Sequence, residues 1–228
     1  MTAKLYGLGV GPGDTELLTL KALRIIKESE VIAVPGKVPQ DTVAYKIVVQ
    51  AYPELADKEL LPIDMPMTKD IGVLQESHDQ GAKTIAAYLD AGKQVAFLTL
   101  GDTTVYSTYL YVHKRIQEMG YDVEIVSGIT SFCAVAARLN MGLVEKEEQL
   151  HVIPASYQID EALKLPGTKV LMKAGKKMSD VKTRLKTMNA RVVMIENCGM
   201  KDERIFRGAD EIPEDAGYYS LIIVKENE

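Results

Sequence analysis

The chain has 228 residues, 46% of them apolar, and a formal net charge of −5. This apolar fraction supports a packed core and argues against disorder. The acidic balance, with an isoelectric point of about 5.4, disfavours a general nucleic-acid binder, because such proteins are usually basic.

The composition gives no indication of a metal centre or of export. The two cysteines, Cys133 and Cys198, and the three histidines lack metal-ligand spacing, so we expect reduced thiols and no metal site. The amino terminus leads directly into a predicted strand without a signal-peptide pattern, and no apolar run approaches the ~20 residues that span a bilayer. We therefore expect a soluble, cytoplasmic protein.

The first half of the chain alternates between strands and helices. Apolar patterns predict strands at 5–10, 31–34, 94–100 and 122–126. They also predict a helix beginning at Asp14 or Thr15, and further helices at 42–52, 70–91 and 104–119. Residues 60–67 are extended, and Pro62 and Pro66 place them at a sheet edge or in a loop. This alternation predicts a mostly parallel sheet.

The second half predicts a mixed sheet with fewer long helices. A helix at 130–140 is followed by strands at 151–154, 169–173, 191–196 and 218–225, with a hairpin-like stretch at 204–207 before the last strand. We place the domain boundary between residues 119 and 127. This gives an amino-terminal α/β domain at 1–120 and a carboxy-terminal α/β domain at 121–228.

Three glycine-containing corners each join a predicted strand to a predicted helix, at residues 9–14 (GVGPGD), 101–106 (GDTTVY) and 127–132 (SGITSF). Glycine at a strand end permits positive φ and lets a ligand approach the backbone. Open α/β sheets bind small molecules at the carboxyl ends of their strands. Three such corners favour a shared ligand cleft between the two domains.

Each corner also has a purely structural interpretation. The first is not a GxGxxG dinucleotide motif, and Pro12 removes a backbone donor that a phosphate site would use. It is therefore either one wall of a cleft or a tight turn only. Asp102 is either a helix N-cap or a carboxylate at the mouth of the cleft. Thr130 and Ser131 either cap a helix or present hydroxyls to a ligand.

In this order and spacing, the motifs resemble those of the tetrapyrrole methyltransferase family. The resemblance covers essentially the whole chain. It implies an S-adenosylmethionine-dependent methyltransferase with two α/β domains and the cofactor in the cleft between them. Two positions depart from the family pattern, since Thr103 and Ser127 stand where prolines are usual. Both residues are compatible with a turn.

The finer resemblance is to the methylases that modify carbon-20 of precorrin-2, or of its cobalt-bearing form cobalt-factor II, in cobalamin biosynthesis. The residues that carry this resemblance, beside the second and third corners, are 106–109 (YSTY), 127–134 (SGITSFCA), 136–137 (AA), 152–155 (VIPA) and 171–173 (LMK). Relatives in the family are homodimers, so the resemblance also implies a homodimer, with a tetrapyrrole substrate and neither nucleic acid nor membrane as partner.

The resemblance implies cofactor contacts at the positions that match the family motifs. These positions are Pro12, Leu100, Gly101, Asp102, Val105, Tyr106, Thr130, Ser131, Met172, Cys198, Tyr219, Ser220 and Leu221.

The implied reaction needs alignment more than acid–base chemistry. An electron-rich ring carbon attacks a methyl group that the sulfonium already activates, and positioning alone can lower such a barrier by ~7–11 kcal/mol. Asp102, Tyr106 and Glu196 are candidates for assisting the loss of a proton, although capping or cofactor binding explains them equally well. No metal is required.

The implied substrate carries eight carboxylates, which favours guanidinium and ammonium partners. Our candidates for substrate binding are Lys173, Lys176 and Lys177, at or just past the end of a predicted strand, and Arg204, in the late hairpin-like stretch. The alternative is a solvated charged face.

Besides a non-catalytic tetrapyrrole carrier, which would bind the ring without turning over the donor, two other functions remain open on the sequence alone. One is methylation of a different corrin carbon by a member of the same family. The other, from a different class, is a nucleotide-dependent oxidoreductase built on the first corner.

Overall fold

The computed structural model describes residues 3–157 and 159–226. The chain divides into two units, Met1–Thr130 and Ser131–Glu228. Each unit is built on its own five-stranded sheet, which confirms the predicted α/β fold class.

The first unit contains a parallel sheet with strand order β3-β2-β4-β1-β5. Its strands are β1 (Lys4–Gly9), β2 (Val31–Pro35), β3 (Glu59–Ile63), β4 (Val95–Thr99) and β5 (Asp122–Val126). Its helices are α1 (Leu20–Glu28), α2 (Val43–Ala51), α3 (Ile71–Asp90) and α4 (Tyr109–Glu118).

Both faces of this sheet are buried. Leu98 of β4 packs in a cluster with residues of α1 and α2, while the preceding Phe97 packs in a second cluster with residues of α3 and α4. The alternation follows from the two-residue period of a strand. Burying a side chain of this size stabilises the fold by ~1.5–3 kcal/mol.

Two helices begin later than predicted. Asp14 accepts a hydrogen bond from the Glu16 N–H at 2.9 Å and caps only a short 3₁₀ turn, Thr15–Leu17. The N-cap of α1 is Thr19, whose hydroxyl accepts from the Ala22 N–H. The helix predicted from residue 104 begins at Tyr109, because Tyr106 has a φ of +49° that an α-helix does not accept.

The domain boundary also lies later than predicted. We had assigned residues 122–126 to the second domain, but β5 pairs in parallel with β1 and forms an edge of the first sheet. The first unit therefore extends to Thr130. At the opposite edge, β3 includes Pro62, in agreement with the edge position predicted from its proline.

The second unit contains the mixed sheet, with strand order β6-β7-β10-β8-β9. Only β6 and β7 are parallel to each other, and the other pairs are antiparallel. Its strands are β6 (Leu150–Pro154), β7 (Thr168–Met172), β8 (Ala190–Glu196), β9 (Arg204–Arg207) and β10 (Ser220–Glu226). Its helices are α5 (Ser131–Arg138), α6 (Asp160–Leu163) and α7 (Met178–Lys186).

Helix α7 was not predicted, although the sequence contained a signal for it. Met178, Val181 and Leu185 are buried in the core of the second unit, at the spacing of one helix face. Across residues 3–157 and 159–226, no helix has the length and apolar character needed to cross a bilayer.

Gly7 is required by packing. A Cβ atom at this position would lie 2.0 Å from the Cε1 atom of the Tyr109 ring, which is fully buried. We expect Gly7→Ala to lower the free energy of unfolding by about 1–3 kcal/mol through overpacking, as measured by urea denaturation. Gly142→Ala is the matched control, since its nearest new contact would be at 3.8 Å. Equal midpoints for the two variants would contradict this prediction.

Candidate functional site

The first two corners are joined by backbone hydrogen bonds at the carboxyl-terminal edge of the first sheet. The Gly11 N–H donates to the Gly101 carbonyl at 3.2 Å, and the Gly101 N–H donates to the Gly11 carbonyl at 2.8 Å. Both glycines have positive φ, +79° and +74°, which favours glycine at both positions.

The third corner packs directly against the other two. A Cβ atom on Gly128 would lie 2.2 Å from the Gly101 carbonyl oxygen, and a Cβ atom on Gly9 would lie 2.5 Å from the Gly128 nitrogen. Side chains at these positions would push the corners apart. The structure therefore brings the three predicted corners together, with their backbones in contact.

Asp102 connects the second corner to the third. One carboxylate oxygen accepts from the Gly128 N–H at 2.8 Å, and the other accepts from the Thr104 N–H at 2.7 Å and from the Thr104 hydroxyl. The residue is only 7% exposed. Since α4 begins at Tyr109, Asp102 is not the N-cap that we considered. It is a buried link between two loops.

Thr103 has a role that the family's usual proline could not fill. Its hydroxyl donates to the Val126 carbonyl at 2.9 Å, and the side chain is fully buried. This bond ties the second corner to the end of β5. Proline has no hydroxyl with which to make it.

The rest of the second corner is strained and more exposed. Tyr106 lies in the left-handed region with φ +49° and exposes about half of its surface. Such a conformation costs on the order of 1–3 kcal/mol for a bulky residue. Val105 is half-buried, and the Ser107 hydroxyl accepts the Tyr109 N–H at 3.2 Å where α4 begins.

Two buried hydroxyls near these corners have no hydrogen-bond partner within the described part of the chain. They belong to Thr99, the last residue of β4, and to Thr130, which lies in the third corner. An unpaired buried polar group costs ~1–3 kcal/mol, so its persistence requires an explanation. Thr130 is a predicted cofactor contact, whereas Thr99, which directly precedes Leu100 and Gly101, is not among the predicted positions.

Predicted cofactor positions in the second unit also lie at one end of their sheet, where β7 and β8 end and β10 begins. Met172 lies opposite Leu221, and Ser220 lies opposite Glu196. The Asn197 N–H donates to the Tyr219 carbonyl at 3.0 Å, which places the segment that includes Cys198 beside the start of β10. Burial raises the pKa of the Tyr219 phenol, so this side chain stays neutral near pH 7.

Glu196 is anchored in a similar way to Asp102. One oxygen accepts from the Arg204 guanidinium through Nε at 2.8 Å and through Nη2, and the other accepts from the Gly217 N–H at 2.6 Å. Glu196 is buried. The Arg204 guanidinium also lies over the Phe206 ring, 5.5 Å from its centroid.

The three candidate lysines lie together after β7. Lys173 has φ +57° and is half-buried, and Lys176 and Lys177 are exposed in the turn Gly175–Lys177 before α7. Lys176 and Lys177 make no ion pair to any residue that the structure describes.

Within the described residues, no group of three or more His, Cys, Asp and Glu side chains is placed to hold a metal ion. His113 Nδ1 lies 3.0 Å from the hydroxyl of buried Tyr109. Burial lowers the pKa of His113 and raises the pKa of Tyr109, so both are neutral near pH 7.

Comparison with known proteins points to one family. The family model for tetrapyrrole (corrin/porphyrin) methylases matches residues 4–211. A probable cobalt-precorrin-2 C(20)-methyltransferase from Methanocaldococcus jannaschii is 35% identical over 99% of this chain and 97% of its own length. A cobalt-precorrin-2 C(20)-methyltransferase from Salmonella typhimurium is 32% identical over 99% of this chain and 98% of its own length. A precorrin-2 C(20)-methyltransferase from Sinorhizobium sp is 28% identical over 97% of this chain and 94% of its own length.

Solved structures share the fold at lower identity. A cobalt precorrin-4 methyltransferase has a TM-score of 0.77 at 21% identity, covering 97% of this chain and 94% of that one. A uroporphyrin-III C-methyltransferase from Thermus thermophilus, solved with S-adenosylhomocysteine, has a TM-score of 0.74 at 22% identity, with 98% of both chains covered.

The link made by Asp102 predicts a stability cost for Asp102→Asn. An amide has a single acceptor oxygen, so the N–H of Gly128 or that of Thr104 loses its partner, and we expect a loss of about 1–3 kcal/mol in urea unfolding.

The control for this prediction is Asp70→Asn. Asp70 caps α3 through one oxygen that accepts from the Gly72 and Val73 N–H groups, and Asn caps a helix as well as Asp does. An equal loss of unfolding free energy in Asp102→Asn and Asp70→Asn would contradict the role of Asp102 as a link between the two loops.

Proposed function

The chain belongs to the tetrapyrrole (corrin/porphyrin) methylase family, and from this membership we propose that it transfers a methyl group from S-adenosylmethionine to carbon-20 of precorrin-2, metal-free or cobalt-bearing, in cobalamin biosynthesis. The observation that carries the proposal is similarity over almost the full length, at 35% and 32% identity, to two relatives named for this reaction. The match extends over both units of the chain.

The first unit suits a ligand with several polar groups. Its three corners meet through backbone rather than side chains, since Gly9, Gly101 and Gly128 lack Cβ atoms. The unpaired hydroxyls of Thr99 and Thr130 are available to a polar group of a bound molecule. S-adenosylmethionine supplies such groups when bound, together with a methyl group activated on a sulfonium.

The cofactor contacts implied by the family motifs remain our proposal for this chain. In the first unit they are residues of the three corners, with Pro12 buried in the first of them. In the second unit they lie at the same end of the sheet and are Met172, Cys198 and Tyr219–Leu221. The cofactor's expected location between the two units stays a prediction.

The hydrogen bonds at the acidic residues support positioning roles over proton transfer. The two oxygens of Asp102 accept hydrogen bonds from Thr104 and Gly128, and the two oxygens of Glu196 accept hydrogen bonds from Arg204 and Gly217. Each carboxylate holds loops in place. This arrangement agrees with a reaction in which alignment supplies most of the rate. Tyr106 remains the candidate for assisting proton loss.

Binding of the substrate carboxylates by Lys173, Lys176 and Lys177 also remains a proposal. The exposure of Lys176 and Lys177 supports it, because an unpaired ammonium group is available to a carboxylate. Arg204 is less suited to this role, since Glu196 already pairs with its guanidinium. A homodimer, expected from the resemblance, and a cytoplasmic location, expected from the sequence, complete the proposal.

Product analysis tests the reaction. We expect incubation with methyl-labelled S-adenosylmethionine and precorrin-2 or cobalt-factor II to give a product heavier by one labelled methyl group, located at carbon-20 by NMR. Running both substrates determines which form the protein prefers. A label at another corrin carbon would support a different member reaction of the family. Binding of NAD(P) without binding of S-adenosylhomocysteine would support the oxidoreductase.

Because the Thr130 hydroxyl has no partner among the described residues, we expect a substitution at this position to weaken cofactor binding without lowering the stability of the fold. Thr130→Val should weaken S-adenosylhomocysteine binding about two- to tenfold, the equivalent of one hydrogen bond, as measured by calorimetry. It should not lower the urea midpoint, because the hydroxyl bonds no described protein group and its replacement by a methyl group removes an unpaired buried polar atom.

The matched control for Thr130→Val is Thr103→Val. Its hydroxyl bonds the Val126 carbonyl, so we expect this variant to lose stability. A Thr130→Val protein that binds S-adenosylhomocysteine as the wild type does would remove Thr130 from the proposed site.

A further inference from the structure

A groove of about 640 Å³ lies in the first unit, within the range of ~300–1,000 Å³ that is typical of ligand sites. We call it the α3–α4 groove. It is formed by the segment after β3, the first turns of α3 and the start of α4, and its principal lining residues are Met65, Met67, Lys69, Ile71, Leu74 and Tyr111.

The groove lies at the same edge of the sheet as the three corners. Met65 and Met67 follow the carboxyl end of β3, and Thr108 and Tyr111 follow the carboxyl end of β4 through the second corner. Carboxyl ends of neighbouring parallel strands point to one edge. Thr108 in the groove wall is two residues from Tyr106, a candidate contact of the cofactor.

The groove exposes apolar surface that a monomeric protein would normally cover. Met67 is 88% exposed, Ile71 70% and Tyr111 51%. Contiguous exposed apolar residues indicate a binding surface, and methionine adapts to flat or irregular partners. On the inner side, buried His78 stacks on the Tyr111 ring at 4.7 Å and 8°, which holds that ring in place.

The walls of the groove are held in place by hydrogen bonds. The Ser77 hydroxyl of α3 donates to the Asp64 carbonyl at 2.5 Å. Arg115 of α4 donates to Asp79 at 2.5 Å and to the Tyr111 carbonyl at 3.0 Å. Arg115 is therefore part of the wall, with its charge already paired.

Of the two basic residues Lys69 and Arg115 in the groove wall, Lys69 has no ion-pair partner among the described residues. It is exposed, and it makes no ion pair or hydrogen bond with any residue that the structure describes. An ammonium group beside an apolar surface is complementary to a flat, apolar ring that carries carboxylates at its periphery.

We propose that the α3–α4 groove receives one edge of the tetrapyrrole substrate. The ring edge packs on Met67, Ile71 and Tyr111, and Lys69 pairs with a peripheral carboxylate. This inference rests on the proposed function, and it assigns to Lys69 and Ile71 a role in substrate binding that the sequence motifs did not indicate.

The test uses two groove variants. Lys69→Glu reverses the charge that would pair with a carboxylate, and Ile71→Glu places a charge on the apolar surface against which the ring edge would pack. The control is Leu20→Glu in α1, a residue that is 86% exposed, lies in the same unit and does not line the groove. Each full-length protein is titrated with cobalt-factor II by absorbance and with S-adenosylhomocysteine by calorimetry. Its mass in solution is measured by light scattering.

We expect both groove variants to lose at least tenfold in affinity for cobalt-factor II, while the control and all S-adenosylhomocysteine affinities match the wild type. Wild-type affinity for the ring in both groove variants would overturn the inference and leave the proposed function intact. The inference would also be overturned, with the proposed function intact, if Ile71→Glu dissociated an oligomer without changing the affinity for the ring. The groove would then contact a second copy of this chain. A wild-type protein that binds neither molecule contradicts the proposed function, and this inference with it.

Discussion

The contact of three glycine backbones at the carboxyl edge of the first sheet is the constraint on which the candidate site depends. Gly9, Gly101 and Gly128 approach so closely that any side chain on Gly9 or Gly128 would meet backbone atoms at well under 3 Å. Asp102 then joins the second and third corners by hydrogen bonds to both of its oxygens. The strained turn at Tyr106, the start of α4 and the groove wall at Thr108 all follow this junction along the chain.

The two buried acidic candidates, one in each unit, have structural partners. Asp102 in the first unit and Glu196 in the second each accept hydrogen bonds from the backbone, and Glu196 also pairs with Arg204. A carboxylate with such partners keeps its loops in one conformation. Because the proposed donor is already activated, rigid alignment is what the reaction requires from the protein. The hydroxyls of Thr99 and Thr130 are the exception, since neither has a hydrogen-bond partner among the described residues.

Much of the fold could be predicted from the sequence, because its signals are local. Runs of apolar residues located the strands, and glycine-containing turns located the three corners. The errors also have local causes. The first helix starts later because Thr19 forms the cap that we had assigned to Asp14 or Thr15, and α4 starts later because Tyr106 is left-handed. Residues 122–126 were placed in the wrong domain, since strand pairing with β1 is not visible in the strand's own residues.

The sequence by itself determined the α/β class, the positions of the corners and, through the combined motifs, the family. These properties depend on residue type and spacing along the chain. Only the tertiary structure decided what the polar side chains do. That Asp102 and Glu196 are already paired, that Thr99 and Thr130 are not, and that Lys69 borders an apolar groove depend on residues distant in sequence. Hydrogen-bond partners and burial arise from the packing of strands and loops, and no local pattern specifies them.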